Sequence, residues 1–103
     1  MAQYLLAYVG GDQPESEEAG QAVMAAWTAW FAGMGAAALD PGNPVGASAA
    51  VAPDGTVGAA SAGVTGYSVI TADSLDAAVE IARACPHLAA NGHVEVYETI
   101  DVM

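Results

Sequence analysis

The fold is decided by residues 66–86, which read GYSVITADSLDAAVEIARACP, and by the later stretch 92–96, which reads GHVEV. The β-branched and aromatic side chains of residues 67–71 predict a strand. Asp73 offers an N-cap for a helix, and Pro86 cannot continue that helix. The alternation that follows predicts a further strand over 93–100. This part of the chain therefore reads as strand, capped helix, stop and strand.

Side-chain periodicity assigns faces to these elements. The helical spacing of four apolar residues predicts the buried face of the helix: Leu75, Ala78, Val79 and Ala82. In the last strand, Val94 and Val96 fall on one face, opposite His93, Glu95 and Tyr97.

The first half of the chain supplies a strand, a helix and a hairpin. Residues 3–9 predict a strand with Tyr4, Leu6 and Tyr8 on one face, and both of its faces are apolar. Pro14 suits the first turn of a helix over about 14–34, which Asp12 would cap. Pro53-Asp54-Gly55-Thr56 predicts a hairpin between strands 47–52 and 56–60. The small residues of 58–66 predict no particular conformation.

The element order is β-α-β-β-α-β over a single domain, residues 1–103. This order predicts a ferredoxin-like α+β protomer, in which two helices cover one face of an antiparallel sheet. The other sheet face is also partly apolar and needs cover. A homodimer that presses two sheets together would supply it.

Charge and cysteine content exclude several classes of protein. The net charge is −11, with a single arginine and no lysine, so we expect no binding to nucleic acid or to anionic membrane surfaces. No apolar run is long enough to span a bilayer. The single cysteine, Cys85, excludes an internal disulfide and favours a reducing, cytoplasmic location.

Three stretches carry a family resemblance: residues 4–8 (YLLAY), residues 51–57 (VAPDGTV) and the C-terminal run 66–96. In this order they resemble the YCII-related family, and specifically its DGPF branch. The resemblance implies a dimeric α+β barrel, made of two ferredoxin-like protomers with facing sheets. It also implies that some relatives are small enzymes acting on chlorinated aromatics through a proposed His–Asp pair, and that other members are encoded beside extracytoplasmic-function sigma factors. Because no histidine precedes His87, that activity has no matching residue here.

The candidate site residues are few. His93 is the catalytic candidate, because it begins a strand whose face can look into the barrel and because histidine is the commonest general acid or base. The ligand-binding candidates are four strand tyrosines and one loop aspartate: Tyr4, Tyr8, Tyr67, Tyr97 and Asp40. The alternatives are an exposed strand-end histidine, ordinary sheet packing of the tyrosines and a turn-shaping role for Asp40.

Other chemical signatures are absent from the sequence. Cys85, His87, His93 and Glu95 do not supply three convergent metal ligands at a recognised spacing, so we predict no metal site. His87 is interpreted as a loop residue and Cys85 as a buried helix-end residue. No phosphate loop or Ser-His-Asp order is present, and we expect no cofactor.

Three functions remain open from the sequence. The first is a pocket for a small organic molecule in a dimeric barrel, with acid–base chemistry by His93 or a tyrosine. The second is a non-catalytic accessory module that binds another protein. The third is a cofactor-free monooxygenase, which rests on fold analogy alone.

Overall fold

A computed structural model describes residues 1–102 as an antiparallel sheet with helices packed on it. The strands are β1 (Ala2–Gly10), β2 (Ala50–Val51), β3 (Val57–Gly58), β4 (Val64–Ala72) and β5 (Gly92–Glu98). The helices are α1 (Glu17–Met34), α2 (Leu75–Ala82) and α3 (Pro86–Ala89), with a 3-10 turn at Gly35–Ala37 after α1. This mixed architecture is consistent with a ferredoxin-like α+β fold.

β1 is the central strand of a three-stranded antiparallel sheet with the order β4-β1-β5. Leu6 lies opposite Ser68 on β4 and opposite Val96 on β5. Pairing on both sides satisfies the backbone of β1, as its apolar faces require. The strands predicted from the first and last thirds of the chain therefore form one sheet.

The hairpin lies outside that sheet. Its predicted strands, 47–52 and 56–60, shorten to β2 and β3, which pair only with each other. The segment 40–45 instead runs beside β4, where Asp40 and Val69 exchange backbone hydrogen bonds of 3.0 and 2.8 Å. The hairpin is rich in Ala, Gly and Pro, which have low strand propensity and bury little apolar surface. The predicted lengths of its strands are therefore wrong.

The helix-covered face of the sheet holds the core. Tyr4, Leu6 and Tyr8 of β1 are buried there with Ile70 of β4. Val94 and Val96 of β5 pack against the same cluster, which confirms the face assigned to them by alternation.

The opposite face of the sheet has no helix on it. The alternate side chains of β1, β4 and β5, among them Leu5, Val69 and Tyr97, lie on this open face. Leu5 and Val69 are partly exposed, and Tyr97 is 50% exposed. This face, which is apolar in part, is thus left without cover from any helix of residues 1–102.

Serine, not aspartate, begins each of the two longer helices. The Ser16 Oγ accepts a hydrogen bond from the Ala19 N–H at 3.0 Å, and the Ser74 Oγ accepts one from the Ala77 N–H at 3.1 Å. Both serines have extended backbone, as an N-cap requires. The predicted starts at Pro14 and Asp73 are therefore wrong by one to three residues.

α2 ends earlier than predicted and buries less. It stops at Ala82, and Pro86 begins α3 rather than ending α2, because proline is well suited to the first turn of a helix. Ala78 and Ala82 are buried, but Leu75 is 48% exposed, so its predicted place on the buried face is wrong. An exposed ion pair lies at the end of this helix, with the Arg83 Nε 3.0 Å from the Glu80 Oε1.

α1 lies over the edge of the core. None of its residues is fully buried, although Trp27, Trp30 and Met34 pack against the core cluster. Val23, one turn before Trp27 on the same helix, is 38% exposed. Within residues 1–102, no helix is long and apolar enough to cross a membrane.

Candidate ligand-binding site

The best-formed cavity lies where β1 ends, between α1 and the loops that approach it. Its volume is about 420 Å³. The walls are the loop 10–14, the segment 41–44 and the β4 residues 65–67, together with aromatic side chains of β1, α1 and α3. We call this space the aromatic cavity, after the five aromatic residues that line it: Tyr8, Trp27, Phe31, Tyr67 and His87.

The rings of the aromatic cavity contact one another. The Tyr8 and Trp27 ring centroids are 5.0 Å apart and nearly perpendicular, at 76°. The Phe31 centroid lies 5.9 Å from that of Trp27, and the His87 centroid lies 5.6 Å from that of Tyr8. The edge-to-face contact of Tyr8 with Trp27 and the two tilted contacts orient the rings and bury apolar surface. The cavity wall is therefore held in a defined shape.

A short hydrogen-bond chain ties this wall to the sheet. The Tyr8 hydroxyl donates to the Ser68 Oγ at 2.7 Å, and the Ser68 hydroxyl donates to the Pro41 carbonyl oxygen at 2.6 Å. Ser68 is fully buried, so the bond from Tyr8 is shielded from water, whereas the bond to Pro41 is partly buried. Burial also raises the pKa of Tyr8 to about 12, a rise that the Ser68 hydrogen bond only partly offsets. Tyr8 is therefore a neutral hydrogen-bond donor at physiological pH.

The imidazole of His87 packs directly against two glycines. A methyl group added at Gly11 or at Gly92 would overlap its imidazole. The His87 Nε2 lies 3.0 Å from the Val9 carbonyl oxygen, which can only accept a hydrogen bond. We therefore assign the proton of a neutral ring to Nε2 and an acceptor lone pair to Nδ1. Within residues 1–102, Nδ1 has no hydrogen-bond partner and is not fully buried.

The mouth of the cavity carries a carboxylate. The Asp12 Oδ2 accepts a hydrogen bond from the Asn91 Nδ2 at 2.6 Å, and the Asp12 N–H donates to the Ala90 carbonyl oxygen at 2.7 Å. These bonds hold Asp12 beside the cavity. The sequence predicted that Asp12 caps α1, and this prediction is wrong, because Ser16 is the N-cap of that helix. No lysine or arginine lines the cavity.

The residues predicted from the sequence fall in different places. Tyr8 and Tyr67 line the aromatic cavity, whereas Tyr4 is buried in the core. Tyr97 lies on the open face, where its hydroxyl donates to the Glu95 Oε1 at 2.6 Å. The four tyrosines are therefore divided between two faces of the sheet.

Two other predicted residues lie outside the cavity. His93 is exposed on β5 opposite Val9, on the open face. Asp40 lies at the edge of β4, and its Oδ1 accepts the Gly42 N–H at 2.9 Å, which is the turn-shaping bond expected of aspartate before proline.

Sequence reasoning missed His87 and Phe31 as site residues. His87 was interpreted as a loop residue, but it lies on α3 and reaches Val9, which is distant in sequence. No spacing rule connects residues so far apart. The paired glycines Gly10 and Gly11, both with positive φ, were the one local signal that something approaches the backbone there.

A second, more open depression lies on the other side of α1. We call it the alanine groove; its walls include Ala22, Ala26, Ala29, Trp30, Arg83 and Cys85. The thiol of Cys85 is buried at its floor, and burial raises the pKa of this thiol to about 11. Within residues 1–102, no group of three or more His, Cys, Asp or Glu side chains is placed to hold a metal ion.

Comparison with known proteins gives the family of the chain. The family model of the YCII-related domain matches residues 4–103, which include every part of the aromatic cavity. No curated protein and no solved structure matches the chain. Since the match extends over nearly the whole sequence, this chain belongs to the YCII-related domain family.

Proposed function

We propose that this protein binds a small organic molecule in the aromatic cavity. The observation that carries the proposal is a space of about 420 Å³ that combines five aromatic residues with a few polar groups. Sites for small molecules have this size and composition, with an apolar lining for affinity and sparse polar groups for orientation.

The walls of the cavity are held in place by contacts within the protein. The hydrogen bond from Ser68 to Pro41 anchors the segment 41–44. The packing of the His87 ring against Gly11 anchors the loop that contains this glycine. A site that is already ordered loses less conformational entropy on binding. These contacts therefore support binding without a large rearrangement.

Acid–base turnover of the bound molecule by His93 or a tyrosine stays a prediction. His93 and Tyr97 lie on the open face, and Tyr8 holds its proton at physiological pH. Histidine is the residue that most often transfers protons in enzymes. Within the cavity, such chemistry would therefore run through His87.

We also propose that two copies pair through the open face of the sheet, as the family resemblance implies. Leu5, Val69 and Tyr97 lie on a partly apolar sheet surface that no helix of residues 1–102 covers, and a second sheet would bury it. Light scattering should then give about twice the chain mass of 10.2 kDa. A Val69→Glu variant should be monomeric, and a wild-type monomer would refute the pairing.

The remaining alternatives have no observation of their own in their favour. The accessory protein-binding module and the cofactor-free monooxygenase stay predictions. A cytoplasmic location is our proposal for the compartment, since the one cysteine is free and buried.

A thermal-shift screen with small phenols, carboxylic acids and amines tests the binding function. A ligand at 100-fold excess over its Kd raises the free energy of unfolding by about 2.7 kcal/mol. Phe31→Ala should abolish the shift, because Phe31 forms a wall of the aromatic cavity. Val23→Ala is the matched control, since Val23 lies on the same helix but lines the alanine groove. A flat screen, or a shift lost in Val23→Ala alone, would refute the proposal.

A further inference from the structure

We infer that the aromatic cavity selects an organic cation, specifically an ammonium group carried on an aromatic or aliphatic body. This inference rests on the proposed function, because it names the class of molecule that the same cavity binds. Three independent features of the cavity carry it: its charge, its unused hydrogen-bonding groups and its rings.

The charge around the cavity is negative. Asp12 supplies a carboxylate at the mouth, and no lysine or arginine lines the walls. The one arginine of the chain, Arg83, lies beside the alanine groove and is paired with Glu80 at 3.0 Å. With a net charge of −11, the whole protein attracts cations and repels anions before they reach the site.

The N-terminus of α1 does not make the electrostatic potential around the cavity positive. A helix N-terminus carries partial positive charge, and this one lies close to the loop that forms the cavity wall. Its first turn, however, contains Glu17 and Glu18, and Ser16 already accepts one of its free N–H groups. The N-terminus is thus neutralised by its own side chains.

Two hydroxyl donors of the cavity, those of Tyr8 and Thr65, are used within the protein. Tyr8 donates its proton to Ser68, and the Thr65 hydroxyl lies 3.3 Å from the carbonyl oxygens of Tyr8 and Gly10. Two groups with free capacity can only accept, the His87 Nδ1 and the Asp12 carboxylate. The other polar side chains of the lining can both accept and donate: Gln13, Asn43 and Tyr67. A ligand that brings N–H donors and positive charge can bond to all of these groups, whereas an anion is repelled by the carboxylate.

The rings add a further attraction for a cation. Tyr8, Trp27 and Phe31 line one space, and aromatic faces carry negative electrostatic potential. A cation near such faces is attracted most strongly where water is partly excluded. Rings together with a carboxylate at the mouth therefore favour an ammonium group over a neutral polar group of the same size.

Three probes of nearly equal size and different charge test this inference: 2-phenylethylammonium, 2-phenylethanol and phenylacetate. Their dissociation constants are measured by isothermal titration calorimetry on the full chain at low and high salt. We expect the ammonium probe to bind about tenfold more tightly than the alcohol, and phenylacetate to bind most weakly. Binding of the ammonium probe should weaken as salt rises, because Asp12 is exposed.

Two variants assign the charge effect to the site. Asp12→Asn keeps an oxygen for the hydrogen bond from Asn91 but removes the charge, and should weaken ammonium binding about three- to tenfold. Asp101→Asn is the control, because it makes the same change in net charge on an exposed residue outside the cavity. It should leave the dissociation constant unchanged.

The outcomes separate this inference from the proposed function. If the alcohol or phenylacetate binds as tightly as the ammonium probe, the cavity binds small molecules but does not select cations, and the inference fails alone. If the two aspartate variants weaken binding equally, the cation is held by the general charge of the surface, and the inference also fails. If none of the three probes binds, the inference fails, and a flat thermal-shift screen then decides whether the proposed function fails with it.

Discussion

The two sides of helix α1 carry side chains of different size and border different spaces. On one side, Trp27 and Phe31 meet Tyr8 and His87 around the aromatic cavity. On the other side, Ala22, Ala26 and Ala29 leave a wider, more open groove. The large side chains enclose a space because other elements close over them, while the small ones leave a surface that nothing in the chain covers. Enclosure, and not size alone, separates the candidate site from the groove.

The polar groups also differ between the aromatic cavity and the alanine groove. The aromatic cavity has a carboxylate, an imidazole and a buried hydroxyl chain, while the alanine groove has one arginine and one buried thiol. Changes on the cavity side should therefore alter hydrogen bonding and binding, and changes on the groove side should mainly alter stability.

The largest expected effect is on the groove side, from pH. Burial raises the pKa of Cys85 from 9.0 to about 11, so the folded state favours the neutral thiol. The thiol therefore stabilises the fold fully below pH 9, and this contribution is lost as pH rises to about 11. The loss is at most about 2.7 kcal/mol, at 1.36 kcal/mol per pKa unit.

Urea unfolding of wild type and Cys85→Ala between pH 8 and about 11 measures this loss. The difference in free energy of unfolding between the two proteins should shrink through that window. A constant difference would show that the thiol titrates normally in the folded protein.

The next effect is on the cavity side, from Ser68→Ala. The change leaves the buried Tyr8 hydroxyl and the partly buried Pro41 carbonyl without their partner, and should lower the free energy of unfolding by about 2 kcal/mol. It should also weaken ligand binding, since it frees the cavity wall. Thr28→Ala, on the exposed side of α1, is the control and should cost less than about 0.5 kcal/mol. Equal losses in both variants would contradict the role given to Ser68.

A smaller effect tests the packing of the His87 ring against Gly92. Gly92→Ala should displace the imidazole from Val9 and cost about 1 to 2 kcal/mol of stability. In a His87→Ala background the same change should cost almost nothing, because the methyl group then has room. Chemical denaturation of the four proteins gives the coupling. Additive losses of unfolding free energy would mean that the His87 ring does not pack against Gly92.

The smallest effect is again on the groove side. Arg83→Ala removes an exposed pair with Glu80 and should change stability by less than about 0.5 kcal/mol. It should leave binding in the aromatic cavity unchanged. A loss of ligand affinity in this variant would transfer the site to the alanine groove.

Much of the fold could be predicted from local patterns. The alternation of Tyr4, Leu6 and Tyr8, and that of Val94 and Val96, assigned the correct faces because a strand has a fixed period of two. The helix starts were harder, since serine and aspartate stand side by side at positions 73 and 74 and both can cap. The outer position beside β4 was missed, because the segment 40–45 contains two prolines and a glycine.

The candidate site could be predicted only in part. Tyr8 and Tyr67 were chosen from their place on strands, and both line the aromatic cavity. The cavity itself depends on how α1, the loop 10–14 and the segment 41–44 approach one another. That arrangement is set by distant contacts, such as those from His87 to Val9 and from Ser68 to Pro41. Periodicity carries no information about such pairs.

The most direct test of the account uses the two tryptophans as reporters. Trp27 lines the aromatic cavity, while Trp30 lines the alanine groove and its indole N–H donates to the Ile81 carbonyl oxygen at 3.3 Å. Their indole signals in a ¹H–¹⁵N spectrum are assigned with Trp27→Phe and Trp30→Phe, and then followed during titration with 2-phenylethylammonium. The account predicts that the Trp27 signal and the amides of Gly10 and Gly11 shift and saturate together, while Trp30 moves little. Saturable shifts at Trp30, Ala26 and Ala29 with Trp27 unmoved would contradict it.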